Sequence, residues 1–321
     1  MDLGHNWHPR FTEWAVRRSI LRSPVVVVDA GVQGGFHLRW DHLGDMFEGH
    51  GFDPLPEAIA PLTATGRPNR HFHCMALGAE DGTRDIFVSR ESTATSFYRR
   101  DHSRLDVSDD VTQISGTRSV PVRRLDGLID SGAVSRPDFI KIDCEGAEPE
   151  ILMGASEAVA NDILAIELET TFIPNQTHPE THFWTVYRQL LPHGFVLHDL
   201  AFLRMPQRSY AERAGTIAMA SARRHAQPAI FNVLFYRSSS PRSAEELVKR
   251  AMILELYGAV DFAFAEISTH AEAVNLPGKV LAAAELMLHR PSLRGLVRHV
   301  RESAIFRARR IASRAARRVT S

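Results

Sequence analysis

The spacing of apolar residues changes along the chain. Residues 25–30 read Val-Val-Val-Val-Asp-Ala between Pro24 and Gly31. A β-branched run that is apolar on both faces predicts a buried parallel strand. Ahead of it, Phe11, Trp14, Ala15 and Ile20 recur at helical spacing within 7–21, which predicts an opening helix that stops before Pro24. A helix over 36–47, a short strand into Gly51-Phe52-Asp53 and a helix from Glu57 follow. Residues 71–77 alternate and predict a third strand, and 85–89 and 120–122 predict further short ones. Then come a strand at 138–143, a helix at 148–159, a strand at 163–169 and a helix at 182–191, halted by Pro192-His193-Gly194. Strands at 195–200 and 231–236 close the series. Strands alternating with helices predict an α/β fold, its mostly parallel sheet covered on both faces. At Ser238-Ser239-Ser240-Pro241 the texture changes, and Ala, Leu, Glu and Arg dominate from 244 to 316 at helical spacing. The chain therefore reads as one domain over 1–240 and a C-terminal extension of three or four helices over 241–321.

Charge adds little until the end of the chain. Lys plus Arg and Asp plus Glu both number 38 among 321 residues, so net charge points to no partner class. Residues 301–321 differ: Arg301, Arg307, Arg309, Arg310, Arg314, Arg317 and Arg318 face only Glu302. With Ile305, Phe306 and Ile311 among them, this basic tail reads as a solvated terminal helix or as one suited to peripheral contact with an anionic membrane surface. The missing pattern of interleaved aromatics argues against nucleic acid. The helices from 244 on are expected to cover the substrate mouth or a second copy of the chain, as in a homo-oligomer. No apolar stretch approaches the roughly twenty residues of a membrane helix. No signal peptide is expected from His5, Trp7, His8, Arg10 and Glu13, and Cys74 and Cys144 are too few for a disulfide scaffold, so a cytoplasmic setting is expected.

The first strand ends in Asp29-Ala30-Gly31-Val32-Gln33-Gly34-Gly35. Glycines there permit left-handed backbone and the close approach of a ligand, and a following helix offers unpaired N–H groups. The pattern is D-x-G-x-x-x-G, not the G-x-G-x-x-G of a dinucleotide site, which counts against an NAD(P)-dependent oxidoreductase. A carboxylate at the strand end repels a pyrophosphate and attracts an ammonium. S-adenosylmethionine, with an α-amino group, a sulfonium and no phosphate, fits as cofactor. Asp53, ending the second strand, is placed to accept from both ribose hydroxyls of an adenosine.

The segment Phe139-Ile140-Lys141-Ile142-Asp143-Cys144-Glu145-Gly146-Ala147-Glu148 carries the densest chemistry. A strand brings Asp143 and Glu145 to the same carboxyl edge, and Gly146 permits a tight turn. Glu148 falls in the first turn of the next helix, where the dipole favours a capping acid. Lys141 reads as partner to one carboxylate, and Cys144 as a small core residue rather than a nucleophile. Glu167 and Glu169, two apart on a strand, share a face. Crowded carboxylates repel one another unless they are protonated, hydrogen-bonded or bound to a cation, so raised pKa values are expected here. Asp143 and Glu145 are the catalytic candidates, to orient or deprotonate a hydroxyl. Glu167, Glu169, His182 and His198 are candidates for binding the acceptor. No His stands at ligand spacing with Asp143, Glu145 and Glu169, so no metal is expected, with a divalent ion among these three acids as the alternative. Residues 92–98, rich in Ser and Thr, read as a loop that closes over the ligands or as an ordinary polar one.

These blocks resemble the FkbM-type family of S-adenosylmethionine-dependent methyltransferases. The matching pieces are Asp29-x-Gly31-x-x-x-Gly35, Asp53-Pro54-x-Pro56-Glu57, Ala76-Leu77-Gly78, Leu125-Asp126-Gly127-Leu128, the block from Asp138 to Glu148, and Ile151-Leu152-x-Gly154-Ala155. They stand in the family's order between residues 25 and 237. The resemblance implies a class I methyltransferase (Rossmann-like) fold, a seven-stranded sheet whose last strand is antiparallel. Residues 195–200 and 231–236 would be the final hairpin, joined by a long insertion over 201–229. It further implies that Asp29, Gly31 and Gly35 form the methionine-side loop, that Asp53 holds the ribose, that Ala76 and Leu77 lie by the adenine, and that Asp143 faces the methyl. The activity implied is O-methylation of a hydroxyl on a sugar, glycan or natural product. The alternative is a non-catalytic methyltransferase-like binding or assembly protein, which a ruined cofactor loop would mark. Gln33, Cys144 and Asp53 depart from the family's usual Asn, Val and Glu, and the last change keeps the carboxylate while shortening its reach by one methylene.

Overall fold

The computed structural model describes residues 3–6, 8–99, 113–173, 182–213, 218 and 225–288. The basic tail from Arg301 lies outside the described residues, as does Trp7. Among the described residues there are ten strands: β1 (Val25–Ala30), β2 (Phe47–Phe52), β3 (Arg70–His73), β4 (Ala76–Leu77), β5 (Gly82–Ser89), β6 (Ile114–Arg123), β7 (Phe139–Ile142), β8 (Ala165–Thr171), β9 (Phe195–Met205) and β10 (Gln227–Arg237). Seven form one sheet in the order β3-β2-β1-β7-β8-β10-β9, and three form a second in the order β4-β6-β5. β1, β2, β3, β7 and β8 are mutually parallel, while β10 runs antiparallel between β8 and β9. This is the α/β sheet of a class I methyltransferase, and the predicted final hairpin is present with longer arms than the sequence pattern marked.

The α-helices among the described residues are α1 (Arg10–Arg17), α2 (Pro56–Thr63), α3 (Leu125–Asp130), α4 (Glu148–Gly154), α5 (Ser156–Asn161), α6 (Phe183–Leu190), α7 (Arg208–Ala211), α8 (Ala244–Leu256), α9 (Val260–His270) and α10 (Gly278–Ala284). Alternate strand residues feed two cores. Val25, Val27, Phe139 and Ala165 face α1 and α8 to α10, while Val28, Ala30, Ile140 and Ile166 face α3 to α6 and the small sheet. The helices after the Ser-Pro stretch thus share a core with the sheet. Polar ties reinforce them. The buried Glu255 carboxylate of α8 accepts from Phe11 and Thr12 N–H at 3.1 and 2.7 Å, satisfying orphan donors at the start of α1. Lys249 reaches Asp138 at 2.8 Å, and Asp138 accepts from Val26 N–H.

Three predicted elements are redrawn. Residues 38–46 form a 3-10 segment, Leu38–Met46, instead of an α-helix. Its buried Trp40 and Leu43 are three apart, the repeat of a 3-10 turn, and Gly44 breaks it at φ 53°, ψ −127°. The alternating run 71–77 divides between β3 and β4, which belong to different sheets, at a turn closed by Met75 N–H on His73 O (3.0 Å). The helix over 148–159 is two, parted at Ala155. There a Cβ on Gly154 would come within 1.9 Å of Gly78 O, so only glycine lets α4 meet the Ala76-Leu77-Gly78 strand. Asp126 caps α5, accepting from Glu157 and Ala158 N–H at 2.9 and 3.1 Å, which gives the Leu-Asp-Gly-Leu block a structural purpose.

Candidate cofactor and catalytic site

β1 and β7 deliver their last residues to one edge, and two backbone bonds lock them there. Asp143 N–H donates to Ala30 O at 3.0 Å, and Gly31 N–H donates to Phe52 O at 2.8 Å. Gly31 has φ +86°, and a Cβ on it would lie 2.2 Å from Asp143 O. Gly34 and Gly35 are left-handed as well, and nothing stands within 4 Å of where a Gly34 Cβ would be. The loop therefore presents bare backbone to open space, as a ligand cradle requires. Asp53 is 3% exposed and accepts from Leu55 N–H at 2.8 Å. Burial raises its pKa, against hydrogen bonds from Leu55 and the Gln33 side chain. Gln33 also exchanges bonds of 3.1 Å with Ser92, so the Ser/Thr loop is tied to the cofactor loop. Ala76 and Leu77 are buried in β4.

The carboxylates share one face of the sheet because their strands are in register. Asp29 sits opposite Lys141, which sits opposite Glu167. Lys141 Nζ lies 3.5 Å from Asp29 and 3.3 Å from Asp143. Burial opposes its charge, but Asp143, Asp29 and Glu167 outweigh burial and raise its pKa. Lys141 is thus shared between Asp143 and Asp29, where the sequence suggested a partner to one carboxylate. Asp29 itself is pushed up to about 6, by burial first, with Lys141 opposing. The two-apart pattern of Glu167 and Glu169 holds on β8, yet their surroundings differ. Glu167 is buried and accepts from Tyr257 Oη at 2.5 Å and from Asn232 at 3.3 Å. Tyr257 follows α8 and lies under the Arg39 guanidinium at 3.7 Å, a contact that sequence spacing could not show.

Beyond β7 the chain makes a strained turn. Glu145 adopts φ 58°, which an L side chain rarely takes, and Gly146 has φ 111°. Ser96 Oγ donates to Glu145 O at 2.7 Å from above. From below, Glu148 Oε1 accepts from Cys144 and Gly146 N–H at 3.0 and 3.2 Å, so this acid braces the turn ahead of α4, where the sequence suggested a cap on the helix itself. Burial keeps the Cys144 thiol protonated. One oxygen from each of Asp143, Glu145 and Glu169 lies within 4.8 Å of the others, the proximity that a divalent ion would need. His182 stands just before α6, its Nδ1 buried and without a hydrogen-bond partner among the described residues. His198 is on the edge strand β9, with Phe262 at 4.6 Å and Tyr236 at 6.1 Å between ring centroids, so it packs against α9. A cavity of about 450 Å3 opens at the opposite, amino edge, walled by Val26, Glu48 and Asp138. None of the candidate site residues lines it.

Glu148 gives a test of the electrostatics. Burial pushes its carboxyl up to about 7, against backbone hydrogen bonds that favour the anion. A folded pKa above the unfolded value means stability that is complete below about 4.5 and lost as pH rises through 7. At 2% exposure this amounts to about 3 kcal/mol. Glu148→Gln keeps an acceptor for both N–H groups and removes the charge. Urea unfolding at pH 5 and pH 8 should show the variant gaining about 3 kcal/mol on the wild type at the higher pH. A pH-independent difference would refute the assignment.

The methyltransferase FkbM domain matches residues 29–197, just over half of the chain. No curated protein matches. Among solved structures, a methyltransferase FkbM from Methylobacillus flagellatus KT is 17% identical with a TM-score of 0.38, over 70% of this chain and 48% of that one. This chain therefore spans about half the length of that relative. Precorrin-6y C5,15-methyltransferase from Geobacter metallireducens is 11% identical, with a TM-score of 0.33 over 72% and 87% of the two chains. The 1,6-didemethyltoxoflavin-N1-methyltransferase from Burkholderia thailandensis, solved with 1,6-didemethyltoxoflavin and S-adenosylhomocysteine, is 12% identical, with a TM-score of 0.32 over 73% and 79%. With the domain spanning the glycine loop, Asp53 and the block from Asp138 to Glu148, the chain belongs to the FkbM methyltransferase family.

Proposed function

We propose that the protein binds S-adenosylmethionine and methylates a hydroxyl oxygen of a sugar, glycan or natural-product acceptor. The observation that carries this reading is the bare left-handed Gly31-to-Gly35 loop lying between a buried Asp53 and a carboxylate-rich edge. Asp29, Gly31 and Gly35 hold the methionine side, Asp53 the ribose, and Ala76 and Leu77 the adenine. The bound cofactor supplies an electrophilic methyl on sulfonium. The part of the chain is to hold the acceptor hydroxyl in line and to take its proton on a carboxylate oxygen of Asp143 or Glu145. Glu169 and His182 reach the acceptor. Glu167, already satisfied by Tyr257 and Asn232, orients the edge through Lys141. His198, on the far strand, touches only an extended acceptor.

Calorimetric titration with S-adenosylmethionine and S-adenosylhomocysteine tests the cofactor half. Asp53→Ala removes charge-assisted bonds and should weaken binding about 10- to 100-fold. A folded wild type that binds neither ligand would remove the proposal. For the catalytic half, Asp143→Asn and Glu145→Gln are assayed for transfer of labelled methyl to hydroxyl acceptors. Near-normal turnover in both would show that neither is the base.

A further inference from the structure

A second group of ligating side chains lies away from the cofactor edge, on the β2 and β3 margin of the large sheet. Period-two alternation puts Glu48 and His50 on one face of β2, and His71 and His73 on the same face of β3, with His50 directly opposite His71. His50 Nε2 is 3.0 Å from Glu48 Oε1, and its Nδ1 is 3.3 Å from His73 Nε2. The rings of His50 and His71 stack at 4.8 Å, and Phe52 backs His73 at 4.5 Å. One ligand atom from each of Glu48, His50 and His71 lies within 4.8 Å of the other two.

We propose that Glu48, His50 and His71 form a zinc-class transition-metal site that clips the edge strand β3 to β2. Two imidazoles and a carboxylate are the donor set of such ions, whereas the all-oxygen trio of Asp143, Glu145 and Glu169 suits magnesium, calcium or manganese. Metal-bound histidine commonly gives its second ring nitrogen to an outer partner, and His73 Nε2 already stands at that place for His50. Coordination through His50 Nε2 leaves its Nδ1 proton to be donated to His73. His71 is exposed, and Glu48 also walls the amino-edge cavity, so an ion has a way in. Four-coordinate zinc brings ligand atoms to about 3.3 Å from one another. His71 therefore swings inward, and water completes the sphere. The clip bears on the cofactor side too, because His73 O accepts the N–H of Asp53 at 3.2 Å.

The test uses the full, untagged chain, stripped with a chelator and titrated with Zn2+ by calorimetry, with Co2+ as a spectroscopic stand-in. The wild type should take one equivalent with sub-micromolar affinity, show the intense visible bands of tetrahedral Co2+, and gain several degrees in Tm. His71→Ala, at an exposed position, should fold as the wild type does and bind at least 30-fold more weakly. Glu48→Gln should weaken binding about tenfold or more. The Asp143→Asn Glu169→Gln double variant should keep wild-type affinity. Wild-type protein that takes up no stoichiometric Zn2+ overturns the proposal. So does a His71→Ala protein with unchanged affinity, or loss of binding in the Asp143→Asn Glu169→Gln variant.

Discussion

Gly31→Ala should destabilise the protein by at least about 3 kcal/mol and abolish measurable cofactor binding. Two penalties add. At φ +86° an L residue is disfavoured by about 1–2 kcal/mol. The new Cβ would also stand 2.2 Å from Asp143 O and 3.1 Å from its carbonyl carbon, both backbone atoms that cannot rotate away. Relief requires β1 to part from β7 where Asp143 N–H bonds Ala30 O, which moves Asp143 and the loop together. Gly34→Ala is the control. It has a similar φ of +83° but open space around the Cβ, so only the backbone penalty of about 1–2 kcal/mol applies. Thermal unfolding and calorimetry on the two variants distinguish the effects. Equal losses in both would mean that the clash at Gly31 is absorbed.

Arg250→Met should lower stability by about 3–5 kcal/mol, or Tm by about 10 °C. Arg250 is 0% exposed in α8. It donates to Arg237 O and Ser239 O at 2.7 Å each and pairs with Glu266 at 3.2 Å and Glu246 at 3.5 Å. Methionine fills similar volume but strands two carbonyls and leaves Glu266 without its cation in a half-dry setting. Glu246 keeps Arg242 at 2.7 Å, so the loss should fall mainly on the joint between α8 and α9. Adding Glu266→Gln to Arg250→Met should recover part of the stability by removing the unpaired charge. A double variant no better than the single one would show that Glu266 is hydrated, and a single variant as stable as the wild type would show that the pair contributes nothing.

The sequence carried local information faithfully. A four-valine run can only be a two-faced strand, and β1 is one. The glycines after it permitted left-handed backbone, and Gly31, Gly34 and Gly35 have it. The shared face of Glu167 and Glu169 follows from strand period, a property of neighbours in the chain. What failed locally failed where tertiary demands overrode period. Residues 71–77 kept one alternation across two sheets, and the helix over 148–159 had to break so that Gly154 could meet Gly78.

The remaining decisions belong to register and closure, which join residues far apart in sequence. Lys141 lies between Asp29 and Asp143 only because β7 pairs beside β1 at that offset. Tyr257 holds Glu167, and Glu255 caps α1, because the last helices fold back over the first face of the sheet. The imidazoles of His50 and His71 meet only when β3 docks on β2. A sequence pattern records which way each side chain can point along its own element. It holds nothing on which distant element arrives to meet it, because that choice is made by the burial of whole faces against one another.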